Sequence, residues 1–297
     1  MNKFSISELE QFSGVKAHTI RVWEQRYKAF KPMRSEGNTR YYDGLQLRRL
    51  LNIVSLMDNE FKVSALCTMS DEALNGLLET QYLENISSDY TTEFLISQCL
   101  SAAINFNEEK FDKLFSNALL RFGIKDAYVK IIHPLLIRIG IMWTKDFLPL
   151  AQEYFITNLI KQKLYAAIDF LPPPSHPEKT WLLFLMEDEL HEIGLLFAHY
   201  LIRKAGHKVI YLGSNVPFNA VESVVQKTKP LSLLFFMVRK NDTANDLKKI
   251  NRMKKIFPSQ TIYMASDTSR LSDVHDSKNF IRLYSIEDLE NIIIADV

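Results

Sequence analysis

The sequence predicts a multidomain chain, α followed by α/β: a winged helix-turn-helix head, a four-helix bundle, and a doubly wound parallel sheet of five strands. Three observations predict it. The first fifty or so residues combine two short helical patterns, a proline break and a concentration of positive charge. Positions 91–170 keep a helical apolar period almost without glycine. From 180 onward, short continuous apolar runs alternate with amphipathic patterns, as in a parallel sheet covered on both faces.

At 297 residues the chain is long for one core and comfortable for two or three, and 47% hydrophobic content supports full folding. The formal net charge is only +1. Residues 16–49 nevertheless carry nine cations (Lys16, Arg21, Arg26, Lys28, Lys31, Arg34, Arg40, Arg48, Arg49) against three acids (Glu24, Glu36, Asp43), a local net of +6. A basic block inside a neutral chain is the electrostatic footprint of a module that sits on phosphates; a solvated face is the bland reading of charge alone. Cys67 and Cys99 lie in apolar helical contexts without redox or metal spacing, so neither a disulfide framework nor a zinc site is expected. No apolar run approaches the roughly 18 residues a membrane helix needs. The amino terminus enters a polar amphipathic helix directly, so a cytoplasmic protein with no membrane partner is expected.

The head is expected over 1–72. Residues 5–14 show a serine start, Glu8 and Glu10 in the first turns, inward Leu9 and Phe12, and a closing glycine. A second helix over about 16–27 spaces Ile20, Trp23 and Tyr27 at three and four residues, leaving His18, Arg21, Gln25 and Arg26 outward. That phase makes Trp23 a packing residue. Pro32 breaks the chain, Gly37-Asn38 offers a turn, and Arg40-Tyr41-Tyr42 closes a two-stranded wing. Helices are then expected over 43–60, from Val63, and from the cap Ser70-Asp71-Glu72, with a polar linker over 73–90.

Residues 91–171 predict four helices with breaks near Asn107, Gly123 and Pro149, a four-helix bundle. A stiff connector at 172–179 opens with Pro172-Pro173-Pro174. The last domain, 180–297, has strand candidates at 181–186, 208–212, 231–238, 261–264 and 280–284, with helices over 191–205, 219–228, 243–257 and 286–294. This order is Rossmann-like and, in its five parallel strands, flavodoxin-like. Such sheets bind ligands beyond the carboxyl ends of their strands. The stretch Glu189-Leu190-His191-Glu192-Ile193-Gly194 follows the first strand and puts an imidazole there. His133, His199 and His207 lack metal-like partner spacing.

On His18-Thr19-Ile20-Arg21, Glu24 with Arg26-Tyr27, and Asn38-Thr39-Arg40-Tyr41-Tyr42, the first 70 or so residues resemble the winged helix domain of the MerR family. The resemblance implies binding to double-stranded operator DNA. His18, Thr19 and Arg21 would meet bases or flanking phosphate in the major groove, while Arg26, Asn38, Arg40, Tyr41 and Tyr42 would hold the backbone. One small module makes few contacts, so a dimer or tetramer on repeated half-sites is expected.

The bundle followed by the sheet resembles the cobalamin-binding module of methionine synthase, and its union with a MerR-type head is similar to the light-sensing carotenoid-gene repressors that use adenosylcobalamin. The resemblance implies that His191 is the lower axial ligand of cobalt, that Glu189 orients it, and that Gly194 permits close approach of the corrin edge. It also implies an upper cap: Trp143 shielding an adenosyl group and Glu153 accepting a ribose hydroxyl. A tryptophan in a bundle is more often plain core. The chain departs from the family pattern where Thr144 and Tyr154 stand in place of histidines, so capture of cobalt by a second histidine after photolysis is not supported. Phe236 replaces a serine beside the nucleotide tail and Ala265-Ser266 replaces Gly-Gly, which narrows the tail pocket.

The function implied is a DNA-binding transcriptional regulator, with no catalytic residue, whose cobalamin-binding-like module senses a ligand or light and controls oligomerisation and DNA affinity; the resemblance implies repression by promoter occlusion, and activation by DNA untwisting, the other MerR habit, stays open. One alternative keeps the head but has a sensor that has lost the corrinoid and serves as an oligomerisation or partner platform. The other, a corrinoid-dependent methyltransferase or mutase subunit, is disfavoured because no residues remain to encode a substrate barrel.

Overall fold

Ser5 sets the first helix of the head. Its hydroxyl accepts the Glu8 amide while the Glu8 carboxylate accepts the Ser5 amide, a capping box that opens α1 (Ile6–Ser13). The computed structural model describes residues 3–35, 38–57, 61–84, 92–144, 150–238, 243–266 and 276–295. They form two compact units, Met1–Leu159 and Ile160–Val297.

In the first unit, Gly14 ends α1 at φ 74°, a left-handed position that strains any side chain. The turn leads into α2 (Ala17–Tyr27), which packs on α1. Leu9, Phe12, Ile20 and Trp23 are all buried. The wing is an antiparallel pair, β1 (Met33–Arg34) and β2 (Arg40–Tyr41), and Phe4 bridges Tyr42 beside it. Asp43 caps α3 (Gly44–Leu56), which ends earlier than the expected 60; residues 58–60 lie outside the described ones. Then come α4 (Val63–Thr68) and α5 (Asp71–Glu84).

The expected linker at 73–90 is therefore helical for most of its length. Leu74 and Leu78, four residues apart, are buried, and α5 packs on α3, so the helix expected from the Ser70 cap continues into the stretch expected as a linker. Residues 85–90 lie outside the described part.

α6 (Thr92–Ile104) is buried on every side from Phe94 to Ala103, because it packs against α3 of the head as well as α7 (Glu108–Ala127) and α8 (His133–Thr144). Its all-round burial accounts for apolar residues that keep to no single stripe. Gly123 kinks α7 at φ 70° without ending it. A π-helical turn, Tyr128–Ile132, precedes Pro134, whose ring lacks the amide that would bond residue 130. α9 (Leu150–Asp169) completes the four helices, and the expected break at Pro149 lies outside the described residues. The division between the units falls inside α9, earlier than the proline connector. His176 and Pro177, expected in that connector, already belong to the first strand of the sheet.

In the second unit the order is β3 (His176–Met186), α10 (Glu192–Lys204), β4 (His207–Val216), α11 (Phe218–Thr228), β5 (Ser232–Met237), α12 (Thr243–Ile256), β6 (Thr261–Ser266), β7 (Phe280–Leu283) and α13 (Ile286–Ala295). All neighbouring strands are parallel, in the spatial order β4-β3-β5-β6-β7. Successive side chains alternate between the two faces. Leu182, Phe184, Leu233, Phe235, Ile262 and Met264 meet Val221, Val225, Ile250 and Met253 of α11 and α12. The alternate positions, including Trp181, Leu183, Leu234, Phe236 and Tyr263, face α10 and α13 by the same rule. From β3 the chain goes one way to β4 and returns to the other side for β5. The topological switch point, where open α/β sheets leave a ligand crevice, therefore lies between the carboxyl ends of β3 and β5.

Candidate nucleic-acid interface and ligand site

In the head, a cleft of about 290 Å³ is lined by Ser5, Ile6, Arg21, Arg34, Asn38, Thr39, Arg40 and Tyr42. It gathers three guanidinium groups beside the amino terminus of α1, the arrangement that attracts an oxyanion such as a phosphate. Arg21, Asn38, Arg40 and Tyr42 were expected at the DNA face. Arg34 and Ser5 were not singled out, although Arg34 stands in the basic block; the signal was its pairing across the hairpin with Arg40. His18 and Arg26 are exposed on α2, Thr19 is half-buried, and Arg26 lies over the Tyr27 ring. Tyr41 sits under the Lys3 ammonium, 4.8 Å from its centroid.

Tyr42 is a correction. It is fully buried, and its hydroxyl donates to the Glu24 carboxylate at 2.6 Å, so it is committed inside the head and not to a phosphate. Burial and the neighbouring Glu24 raise its pKa far above the usual phenol. Glu24 also pairs with Arg40 at 3.5 Å, so one carboxylate on α2 holds two residues of the wing strand end, Arg40 and Tyr42. The basic block needs a second revision. Arg49 is turned inward and donates to the carbonyls of Ala29, Cys67 and Met69 and to Asp71, while Arg48 donates to Asn105. These two cations tie helices together. Both cysteines are buried and free, with burial pushing Cys67 up to about 11 and Cys99 up to about 12.

At the switch point of the sheet, Glu189 is buried and organises two loops. Its Oε1 accepts the amides of Leu190 (3.1 Å) and His191 (3.2 Å) and the Nδ1 of His191 (2.5 Å). Its Oε2 accepts the amide of Val238, just past β5, at 2.8 Å. The loop backbone is held as well: Asn215 at the end of β4 donates to the Glu189 carbonyl, and its side chain accepts from Asp188. His191, at φ −77° and ψ 69°, sits at the apex of an inverse γ-turn closed by the Glu192 amide on the Leu190 carbonyl at 2.8 Å. A carboxylate only accepts, so Nδ1 carries the proton of this bond, and in the neutral form of the ring the lone pair lies on Nε2, directed away from Glu189. The imidazole is 49% exposed, and so are Leu190 (62%), next to it in the chain, and Val238 (48%), whose amide bonds the same carboxylate.

A neutral imidazole with a carboxylate behind it is the donor set of an oriented metal ligand. Among the described residues no three His, Cys, Asp or Glu side chains gather as an ion site. Gly194, one turn into α10, abuts Phe236: a Cβ there would stand 3.0 Å from the ring. Ala265 pairs with Phe236 in register, and Ser266 follows it. The residues thus fit axial ligation of a flat macrocycle, while the slot beside Gly194 is filled.

Next to this site Glu192 accepts from Tyr211 (2.9 Å) and Tyr165 (3.3 Å) and pairs with Lys161 (2.9 Å). Burial works to raise its pKa, but these partners outweigh it and hold the carboxylate below its ordinary value. Of the other histidines, His133 stacks on Tyr128, His199 on Tyr211, and His207 is buried with Nε2 3.3 Å from the Ile293 carbonyl. Glu153 is half-buried on α9 in the first unit and Tyr154 is exposed; Trp143 and Thr144 belong to α8, but their side chains lie outside the described residues.

Fold and site define a class, a DNA-binding transcription regulator with a helix-turn-helix head and a cobalamin-type sensor module. Residues 4–72 match the family model of MerR HTH family regulatory proteins, and residues 95–168 match that of the B12 binding domain. The chain is similar to the HTH-type transcriptional repressor CarH of Myxococcus xanthus, 24% identical over 229 residues that cover 76% of each chain. To the repressor CarA of the same organism it is 23% identical over 241 residues, 79% of this chain and 76% of that one. The Methanosarcina barkeri monomethylamine corrinoid protein shares the fold, with a TM-score of 0.55 at 13% identity, covering 70% of this chain and all (100%) of that one. No helix among the described residues is long and apolar enough to cross a membrane.

Proposed function

We propose that the chain is a repressor that grips operator DNA as a dimer or tetramer through its 1–72 head and holds a corrinoid at His191 of its 180–297 module. Arg21, Arg34 and Arg40 take backbone phosphate at the amino terminus of α1, which places α2 with His18 and Thr19 toward bases and Arg26 along the strand. Glu24 and Tyr42 position the wing from inside. The similarity to two transcriptional repressors supports repression as the direction of control.

The observation that carries the ligand half is the Glu189–His191 clamp, an Nδ1 proton held by a buried carboxylate on an exposed ring at the switch point. When bound, the corrinoid would supply a cobalt centre able to exchange a ligand, and with it a signal. The chain's own residues orient the imidazole and, through the Val238 bond to Glu189, couple the ring to the end of β5. Any change in the ring's position is therefore felt by two loops at once.

Purification of the full chain with adenosylcobalamin in the dark, followed by absorption spectroscopy, tests this reading. Corrinoid bands retained by the wild type and lost or shifted in His191→Ala are expected. A colourless wild-type protein would sink the ligand half and favour the alternative that the module is an oligomerisation or partner platform.

A further inference from the structure

We infer that this module binds corrinoids by the ring face alone and does not read their lower nucleotide; the inference rests on the corrinoid reading proposed above. A cobalt held by His191 would leave no place on that side for the benzimidazole a cobalamin carries, so the nucleotide arm would have to enter the fold or stay outside it.

Entry beside the imidazole runs between α10 and the sheet, past Gly194, the glycine one turn beyond His191. A flat base inserted there needs about 3.5 Å of clearance to carbon on each of its faces. The missing Cβ of Gly194 is 3.0 Å from Cε1 and 3.3 Å from Cδ1 of Phe236, so helix and ring are already in contact and no base-thick gap separates them. Further along the same face, Trp181 stacks on Tyr263 at 5.1 Å and 19°, Trp181 also meets His207 edge-on, and all three are buried. Aromatic side chains of the chain occupy the depth that a nucleotide would need. Leu190 and Val238, by contrast, remain exposed outside, where the rim of a corrin ring would lie. Selectivity thus falls on the ring and its metal, and a nucleotide-free corrinoid serves as well as a complete one.

The test is an absorption titration of the full chain with aquocobalamin and with diaquocobinamide, which lacks the nucleotide, in the wild type, His191→Ala, Phe236→Ala and Phe236→Leu. The wild type is expected to bind cobinamide at least as tightly as cobalamin, since cobinamide has no benzimidazole to displace. Opening the slot in Phe236→Ala is expected to move the ratio of the two affinities toward cobalamin by tenfold or more, and Phe236→Leu by less. If Phe236→Ala does not fold, the wild-type ratio and Phe236→Leu still decide. A wild-type preference for cobalamin of tenfold or more overturns the inference and leaves the ligand reading intact. Failure to bind either corrinoid, or binding indifferent to His191→Ala, overturns the ligand reading and this inference with it.

Discussion

Replacing Glu189 isolates the group on which the ligand site is built. Its carboxylate accepts from three amides and one imidazole, all part-buried. A hydrogen bond to a charged group contributes about 1.5–3 kcal/mol net, and a buried donor left without its acceptor costs about 1–3 kcal/mol. Glu189→Gln keeps one carbonyl oxygen, enough for the three contacts at Oε1, but turns the other end into a donor facing the Val238 amide. The expected loss is one charged bond plus a donor–donor opposition, about 2–3 kcal/mol. Glu189→Ala removes all four contacts, and water reaching the exposed loop limits the loss to about 3–5 kcal/mol. Against a typical domain stability of about 5–15 kcal/mol these are large effects. Urea unfolding gives the totals, and hydrogen exchange on peptides covering 187–194 and 234–238 gives their location. Protection is expected to fall in both peptides together, since one carboxylate holds both. A Gln variant within about 0.5 kcal/mol of wild type, or loss of protection confined to one loop, would refute the clamp.

Two further predictions concern other parts of the chain. Arg21→Ala is expected to weaken DNA binding and lower the slope of log affinity against log salt by about 0.9, whereas Arg49→Ala, which loses three carbonyls and Asp71, is expected to lower the melting temperature without changing that slope; gel-shift titrations at several salt concentrations separate them. Burial, with Arg203 nearby, holds His199 down to about 4 from an ordinary 6.5. The unfolded ring therefore takes a proton near pH 6.5 and the folded one only near 4, so this contribution to stability is complete above 6.5, declines as pH falls through that window, and levels off below it, by at most about 3 kcal/mol. Unfolding free energies measured across pH 3.5 to 7.5 should show the decline in the wild type and a flatter profile in His199→Phe, which keeps an aromatic ring against Tyr211.

The elements with strong periodicity were legible in advance: both helices of the head, and strands whose apolar runs are buried on two faces. What escaped was set by partners distant in sequence. α5 starts at the Ser70 cap as expected, but runs on to Glu84 with Leu74 and Leu78 buried where the polar composition of 73–90 suggested a linker. Tyr42 reads as a surface aromatic after Arg40 and Tyr41, and only Glu24, on another element, shows that its hydroxyl is used internally. Arg48 and Arg49 count as positive charge in any composition, yet the carbonyls of Ala29, Cys67 and Met69 consume Arg49. At the ligand site, the acid-x-His spacing made the Glu189 contact to His191 readable. Its reach to Val238, 49 residues on, depends on β5 lying beside β3. Phe236 was readable as a bulky replacement, but its contact with Gly194 needed the packing of α10 on the sheet.

The account stands on a head that binds duplex and a module that alters this binding when a corrinoid is present. The most direct measurement is the affinity of the full chain for duplex selected by it from genomic fragments, by fluorescence anisotropy in the dark, with and without saturating adenosylcobalamin, for wild type and His191→Ala. The account predicts a change of at least about tenfold, a coupling of about 1.4 kcal/mol, in the wild type and none in the variant. Equal affinity with and without the corrinoid in the wild type, or no duplex selected at all, would contradict it.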